Sequence, residues 1–218
     1  PPRSTLFPYT TLFRSSGVME LAESGEIAAS TVLRIDAGAK FVATNLPAGT
    51  LHLMDGQTLQ GNGTFEGGLI TDPGSEVSPG NSAGALTMMG DMQADVVTTF
   101  TIEINGTTPG TQYDQLLFGG GNIYTLTLNS PDLQVLLGYT PTYGSTFAIV
   151  SGFGTLAGDG EFSGKPDGST FTVGSTDFQI DYNGNDITLT VVPEPASLGV
   201  MGLLGIAGWL LRRRARTH

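Results

Sequence analysis

Two histidines and 20 carboxylates are the side chains of this 218-residue chain able to do acid–base or metal chemistry, and cysteine is absent. A hydrolytic triad needs a nucleophile, a histidine and an orienting acid within hydrogen-bond reach. His218 is terminal, and His52 lies in the alternating run Thr50-Leu51-His52-Leu53, where a strand face is the simpler reading. Without cysteine there is no thiolate site, no disulfide and no cysteine nucleophile. Asp72, Glu76, Asp91 and Asp95 would line a groove or hold calcium if they converged, but their spacing matches no loop of known coordination. Gly119-Gly120-Gly121 and Gly152-Phe153-Gly154 lack the Lys-Ser/Thr and the strand-to-helix setting of a phosphate loop. Asn62-Gly63-Thr64 and Asn105-Gly106-Thr107 fit a glycosylation sequon and read more simply as turns. The expectation is a chain that is not an enzyme, with no catalytic residue, metal ligand or cofactor of its own.

The C-terminus carries a different chemistry, that of recognition. Val192-Pro193-Glu194-Pro195 closes the last β-like run, and the two prolines disfavour continuing strand or helix. Residues 196–211 follow without a charge, and as a helix they would span about 24 Å. That is shorter than the ~20 residues of a comfortable bilayer crossing. Trp209 stands near the charged end, where an interfacial aromatic belongs. Arg212, Arg213, Arg214 and Arg216 come next, which predicts a cytoplasmic C-terminus and a body outside. Gly199, Gly202, Gly205 and Gly208 recur every third residue; they either form a smooth packing face or simply fill a short helix.

This order of a Val-Pro-Glu-Pro turn, an apolar glycine-rich helix and an arginine-rich end resembles the PEP-CTERM sorting signal. The resemblance implies that exosortase, a membrane-embedded cysteine protease, recognises Val192, Pro193, Glu194 and Pro195 and removes the tail. It also implies that Arg212, Arg213, Arg214 and Arg216 retain the chain in the membrane until then. A plain tail anchor behind an incidental proline linker is the alternative.

The elements ahead of the tail read as all-β. Glycine is frequent, with 32 residues and no triplet repeat, and Thr, Val, Leu and Ile fill the intervals. Turn signals recur at Asp36-Ala37-Gly38, Asp55-Gly56, Asp72-Pro73-Gly74 and Gly90-Asp91, at intervals of about 18 residues. Short alternating runs lie between them, at 32–35, 50–53, 68–71 and 85–88, with further β-like runs at 40–43 and 63–65. One turn and its flanking strands suit one coil of a β-solenoid, or parallel β-helix, over residues 16–99. An antiparallel sandwich with similar turn spacing is the alternative.

From residue 100 the pattern changes. Phe100-Thr101-Ile102-Glu103-Ile104 alternates and Asn105-Gly106 follows as a hairpin signal. Strands are predicted at 122–128, 133–137 and 146–150, and a hairpin joins Phe178–Tyr182 to Ile187–Val191. Residues 100–191 are expected to form an antiparallel β cap over the open solenoid end. The segments Val77–Leu86 (VSPGNSAGAL) and Gly110–Leu116 (GTQYDQL) resemble the close of passenger-type β-helices in autotransporter-like surface proteins. There a PGxSxGxL turn, a YDQL strand and a strand cap follow in that order. This resemblance covers residues 30–192 and implies architecture rather than chemistry.

Residues 1–15 repeat Thr-Leu-Phe and resemble translated sequencing-adapter read-through; they are left out of the fold reading, and the natural N-terminus with any export signal is expected to be missing. Residues 16–192 carry Arg34, Lys40 and Lys165 against 19 acidic side chains, a net charge of −16. Such a body repels nucleic acid and anionic lipid. The domain reading is therefore 1–15 adapter-like, 16–99 solenoid, 100–191 cap and 192–218 sorting signal, divided into the motif 192–195, a transmembrane helix 196–211 and a basic tail 212–218. The functional expectation is an exported structural or adhesive protein of the cell surface or biofilm matrix. Its partners would be the membrane, an exosortase-type protease and an extracellular polysaccharide, with no nucleic acid. The alternative is a β-helical carbohydrate-active enzyme, a glycan lyase or hydrolase, held by the same tail. An enzyme acting on anionic glycans would need basic residues in its groove, and the body offers three.

Overall fold

The computed structural model describes residues 11–14, 16–21, 27, 29–121 and 123–193. Among the described residues there are twenty strands, and fifteen of them wind in five successive coils that each lay one strand on each of three sheets. The first strands are β1 (Thr11–Arg14) and β2 (Gly17–Glu20). Complete coils follow: β3 (Val32–Ile35), β4 (Ala39–Val42) and β5 (Thr50–Leu53); then β6 (Thr58–Gly61), β7 (Thr64–Glu66) and β8 (Gly68–Thr71). Next are β9 (Glu76–Pro79), β10 (Ala85–Met89) and β11 (Met92–Ala94), then β12 (Thr99–Ile104), β13 (Gln115–Phe118) and β14 (Thr125–Asn129). The last coil is β15 (Asp132–Leu137), β16 (Thr146–Ser151) and β17 (Thr155–Glu161). A final hairpin system, β18 (Thr170–Val173), β19 (Thr176–Asn183) and β20 (Asp186–Val192), closes the fold.

Pairing along the coils is parallel throughout. The first sheet runs β1-β3-β6-β9-β12-β15 and the third β17-β14-β11-β8-β5. The second runs β18-β19-β20-β16-β13-β10-β7-β4-β2, parallel from β16 to β2 and antiparallel beyond β16. This is a β-solenoid with an antiparallel end. The register stacks like on like inside: Leu33, Leu59, Val77, Phe100 and Leu133 form one inner column. Phe41, Phe65, Met88 and Phe118 form a second, and Leu51, Leu69, Met92 and Leu126 a third. All thirteen are buried. Each removes its apolar surface from water only because the coils above and below cover it, and burial of such a side chain stabilises by about 1.5–3 kcal/mol. Phe41 and Phe65 stack with ring centres 5.5 Å apart.

The coil is not the 18-residue unit that the turn spacing suggests. Val32 lies beside Thr58, Thr58 beside Glu76, Glu76 beside Thr99, and Thr99 beside Asp132, so successive turns of the solenoid take 26, 18, 23 and 33 residues. The Asp/Gly signals sit at different corners. Asp36-Ala37-Gly38 joins β3 to β4, Gly90-Asp91 joins β10 to β11, and only Asp55-Gly56 and Asp72-Pro73-Gly74 share a corner. At that corner the turns stack: Gly56 N–H donates to Gly74 O (3.1 Å) and Gly74 N–H to Val97 O (3.2 Å). Each of these turns closes with a bond from its fourth residue to its first: Gln57 to Met54, Ser75 to Asp72 and Thr98 to Asp95. The third residue has positive φ in every case: Gly56 at 73°, Gly74 at 89° and Val97 at 66°. Behind the corner, Ser75 Oγ donates to Asp72 O (2.6 Å) and the hydroxyls of Thr71 and Thr98 pair at 2.8 Å.

The expected boundary at residue 100 moves. β12 pairs in parallel with β9 and β15, and β13, β14 and β17 continue the parallel ladders, so the solenoid runs through Glu161. Asn105-Gly106 turns no hairpin, because the chain leaves β12 for a loop in which Asn105 N–H bonds Gln112 O and then enters a different sheet. Among the described residues antiparallel ladders are confined to β16 and β18–β20; elsewhere antiparallel pairing is limited to isolated bridges, Gly61 with Gly80, Ile104 with Tyr113 and Phe162 with Lys165. There the expected hairpin forms, with Phe178, Ile180, Ile187, Leu189 and Val191 buried. Thr11–Arg14, within the adapter-like stretch, form β1, whose backbone pairs with β3.

The upper end is closed by aromatic rings. Phe162 meets Phe100 edge-on at 5.3 Å, and Phe178 meets Phe147 and Phe171 at 6.3 and 6.0 Å. Tyr182 Oη accepts from Phe162 N–H and donates to Lys165 O, both at 2.8 Å. Among the described residues no helix is long and apolar enough to cross a membrane; the helix expected at 196–211 lies outside them.

Candidate functional site at the end of the last strand

β20 is an interior strand, bonded to β19 on one side and β16 on the other. Val192 pairs with Asp177 and Val191 with Phe178, and Val191 is buried. The turn Thr142–Ser145 locks the same strand end from the β16 side: Gly144 N–H donates to Val191 O (3.0 Å) and Val191 N–H to Ser145 O (2.9 Å). Pro193 then has no N–H to give a neighbour, and a strand held on both edges cannot accommodate it. The ladder ends at Val192, and Pro193 stands exposed. Of the predicted recognition residues the structure places Val192 in β20 and Pro193 just past it. Glu194, Pro195, Arg212, Arg213, Arg214 and Arg216 lie outside the described residues. The folded body therefore runs into the recognition motif with no spacer.

The other chemistry-bearing side chains are dispersed over the solenoid surface. His52 Nδ1 is 3.4 Å from Asp72 Oδ1, with both side chains about half exposed. Glu76 accepts from Thr101 Oγ1 (2.5 Å), Asp91 from Thr125 N–H (2.8 Å) and Asp95 from Asn129 Nδ2 (2.7 Å). These carboxylates tie one coil to the next. Among the described residues no group of three or more His, Asp or Glu side chains could hold a metal ion.

One carboxylate differs. Asp114, in the YDQL segment, is buried and joins the two motifs that carry the body's resemblance. Its Oδ1 accepts from Gly84 N–H (2.7 Å) in the PGNSAG turn, and its Oδ2 from Glu103 N–H (2.8 Å) on β12. Gln115 N–H then bonds Gly84 O (2.9 Å), and Tyr113 packs edge-on against Phe147 at 5.3 Å. Burial pushes the Asp114 carboxyl up to about 7, aided by the nearby Glu103 charge and opposed by the two backbone N–H donors. The turn needs its glycines here, since a Cβ on Gly80 would meet Asp114 Oδ1 at 2.4 Å and one on Gly84 would meet Asn62 Oδ1 at 1.7 Å. Sequence reading names these segments as architecture; only the coil register reveals that Asp114 is the clasp between them.

No curated protein matches the chain. Residues 191–214, from the last buried residue of β20 through the third arginine of the basic tail, match the family model of the PEP-CTERM protein-sorting motif, so this chain carries the signal of an exported protein that exosortase processes at the membrane.

Proposed function

We propose that the chain is a structural or adhesive component of the cell surface or extracellular matrix, delivered through its C-terminal signal and released by removal of that tail. The observation that supports this reading is the junction at Val192. β20 is held by a neighbour on each side up to Val192, and Pro193, the first proline of the motif, follows it directly and is exposed. An extended proline segment offers its backbone to a protease active site without first melting structure. In this reading residues 196–211 hold the chain in the inner membrane, Arg212, Arg213, Arg214 and Arg216 keep the tail on the cytoplasmic side, and the acidic body lies outside. The long polar faces of the solenoid then serve contact with an extracellular polysaccharide or with other matrix components.

The test is mass spectrometry of the mature C-terminus in a host that has exosortase. Mature protein lacking the apolar and basic tail is expected, and replacement of Pro193, Glu194 and Pro195 by alanine is expected to leave full-length protein in the membrane. Mature protein retaining residues 196–218 refutes the proposal.

A further inference from the structure

We infer that the end of the solenoid around Val192 seats on the lipid headgroup surface while the tail is still attached. The inference rests on the membrane-inserted tail proposed above. Three residues lie between Val192 and the start of the apolar segment at Ala196, four residue steps in all. Fully extended they reach about 13 Å. Val192 itself is therefore held within about that distance of the apolar segment, and the residues that flank it are kept near the lipid with it.

What flanks it suits an interface. On the β16 side is Tyr143, 74% exposed, in the turn whose next residue bonds Val191. On the β19 side, Thr176 precedes Asp177, the partner of Val192, and lines a groove of about 550 Å³ shared with the free edge of β15. Leu136, 41% exposed, Leu137, Tyr139 and Val173 line the same groove. The Tyr139 hydroxyl is buried and has no hydrogen-bond partner among the described residues. No residue lining this groove is charged, on a body whose net charge is −16. The nearby Asp177 is occupied by the Thr172 hydroxyl at 2.6 Å. Tyrosines with their rings half-sunk and their hydroxyls among headgroups are favoured at the membrane surface. An uncharged patch flanked by the exposed Tyr143 fits zwitterionic headgroups, whereas the acidic flanks of the solenoid are repelled by anionic ones. The opposite end is far away: β2 lies six strands from β20 in the same sheet, about 29 Å at the usual strand spacing.

The chain's single tryptophan, Trp209, makes the inference separable from the reading beneath it. The full chain is placed in phosphatidylcholine vesicles with bromine-labelled acyl chains, which quench tryptophan at defined depth. Wild type reports on Trp209. Tyr143→Trp and Val18→Trp, each in a Trp209→Phe background, report on the two ends of the body. Both positions are more than half exposed, so neither substitution threatens the core. Loss of Tyr143→Trp emission with bromines near the headgroup, and none for Val18→Trp, is the expected result. Quenched Trp209 with unquenched Tyr143→Trp overturns the seating and leaves the tail reading standing. Unquenched Trp209 overturns the inserted tail and the seating with it. Equal quenching at both ends means the solenoid lies on its side. Quenching of Tyr143→Trp that appears only when exosortase is co-reconstituted assigns the face to that protein; either result overturns the inference.

Discussion

Val97→Gly should make this protein more stable. Val97 holds the third position of the Asp95–Thr98 turn with φ 66°, where the two turns stacked beneath it place Gly56 and Gly74. A left-handed conformation costs a residue with a Cβ about 1–2 kcal/mol, and a β-branched side chain belongs at the upper end. Glycine returns about 0.5–1 kcal/mol of that through the greater freedom of the unfolded chain. The side chain is 55% exposed, so little burial is forfeited. The balance is a gain of about 1 kcal/mol, which in a domain of this size raises Tm by about 2–4 °C. The neighbouring Val96→Gly is the control. Val96 is as exposed, at 54%, but is not among the residues of positive φ, so glycine brings only its entropic cost and Tm should fall. Thermal unfolding followed by circular dichroism on the two variants and the wild type decides it. A Tm that falls in Val97→Gly as it does in Val96→Gly refutes the argument, because the strain would then be absent or already relieved by packing.

Asp114 ionises at about 3.8 when unfolded and at about 7 in the fold, so its contribution to stability is full below the lower value and is lost as pH rises through the upper one. The advantage of wild type over Asp114→Asn in urea unfolding should therefore be larger at pH 4.5 than at pH 7.5; an advantage that is constant or grows with pH contradicts the assignment. Phe65→Ala removes a fully buried ring stacked between coils and should cost about 3–5 kcal/mol, visible as a lower urea midpoint with unchanged far-UV signal before the transition.

Strand positions were legible because buried residues, mostly apolar, alternate with outward-facing ones along each short run. Val32–Ile35, Thr50–Leu53 and Gly68–Thr71 coincide with the runs read from sequence. The sorting tail was legible because its three parts occur in order within 27 residues. The coil length was not legible. Asp-Gly at 55–56 and Asp36-Ala37-Gly38 present the same turn chemistry, yet they bend the chain at different corners of the triangle, and nothing local distinguishes one corner from another. The parallel course of β12 was equally hidden. Asn105-Gly106 favours a two-residue hairpin, and what overrules it is the inner column, which places Phe100 between Val77 and Leu133. The Asp114 clasp joins residues 30 apart through a pairing that exists only once β13 has stacked on β10.

β20 lies between two antiparallel neighbours, and its last residue, Val192, leads into the tail, so a pull along the strand axis passes through both ladders. Tension applied through the tail would thus load both ladders in shear, stretching all their hydrogen bonds at once instead of peeling them singly. A strand at the sheet margin pulled sideways would unzip under far less force. If the tail is held in lipid as proposed, drag on the body reaches β20 along its strongest mechanical direction, through the two ladders that flank it.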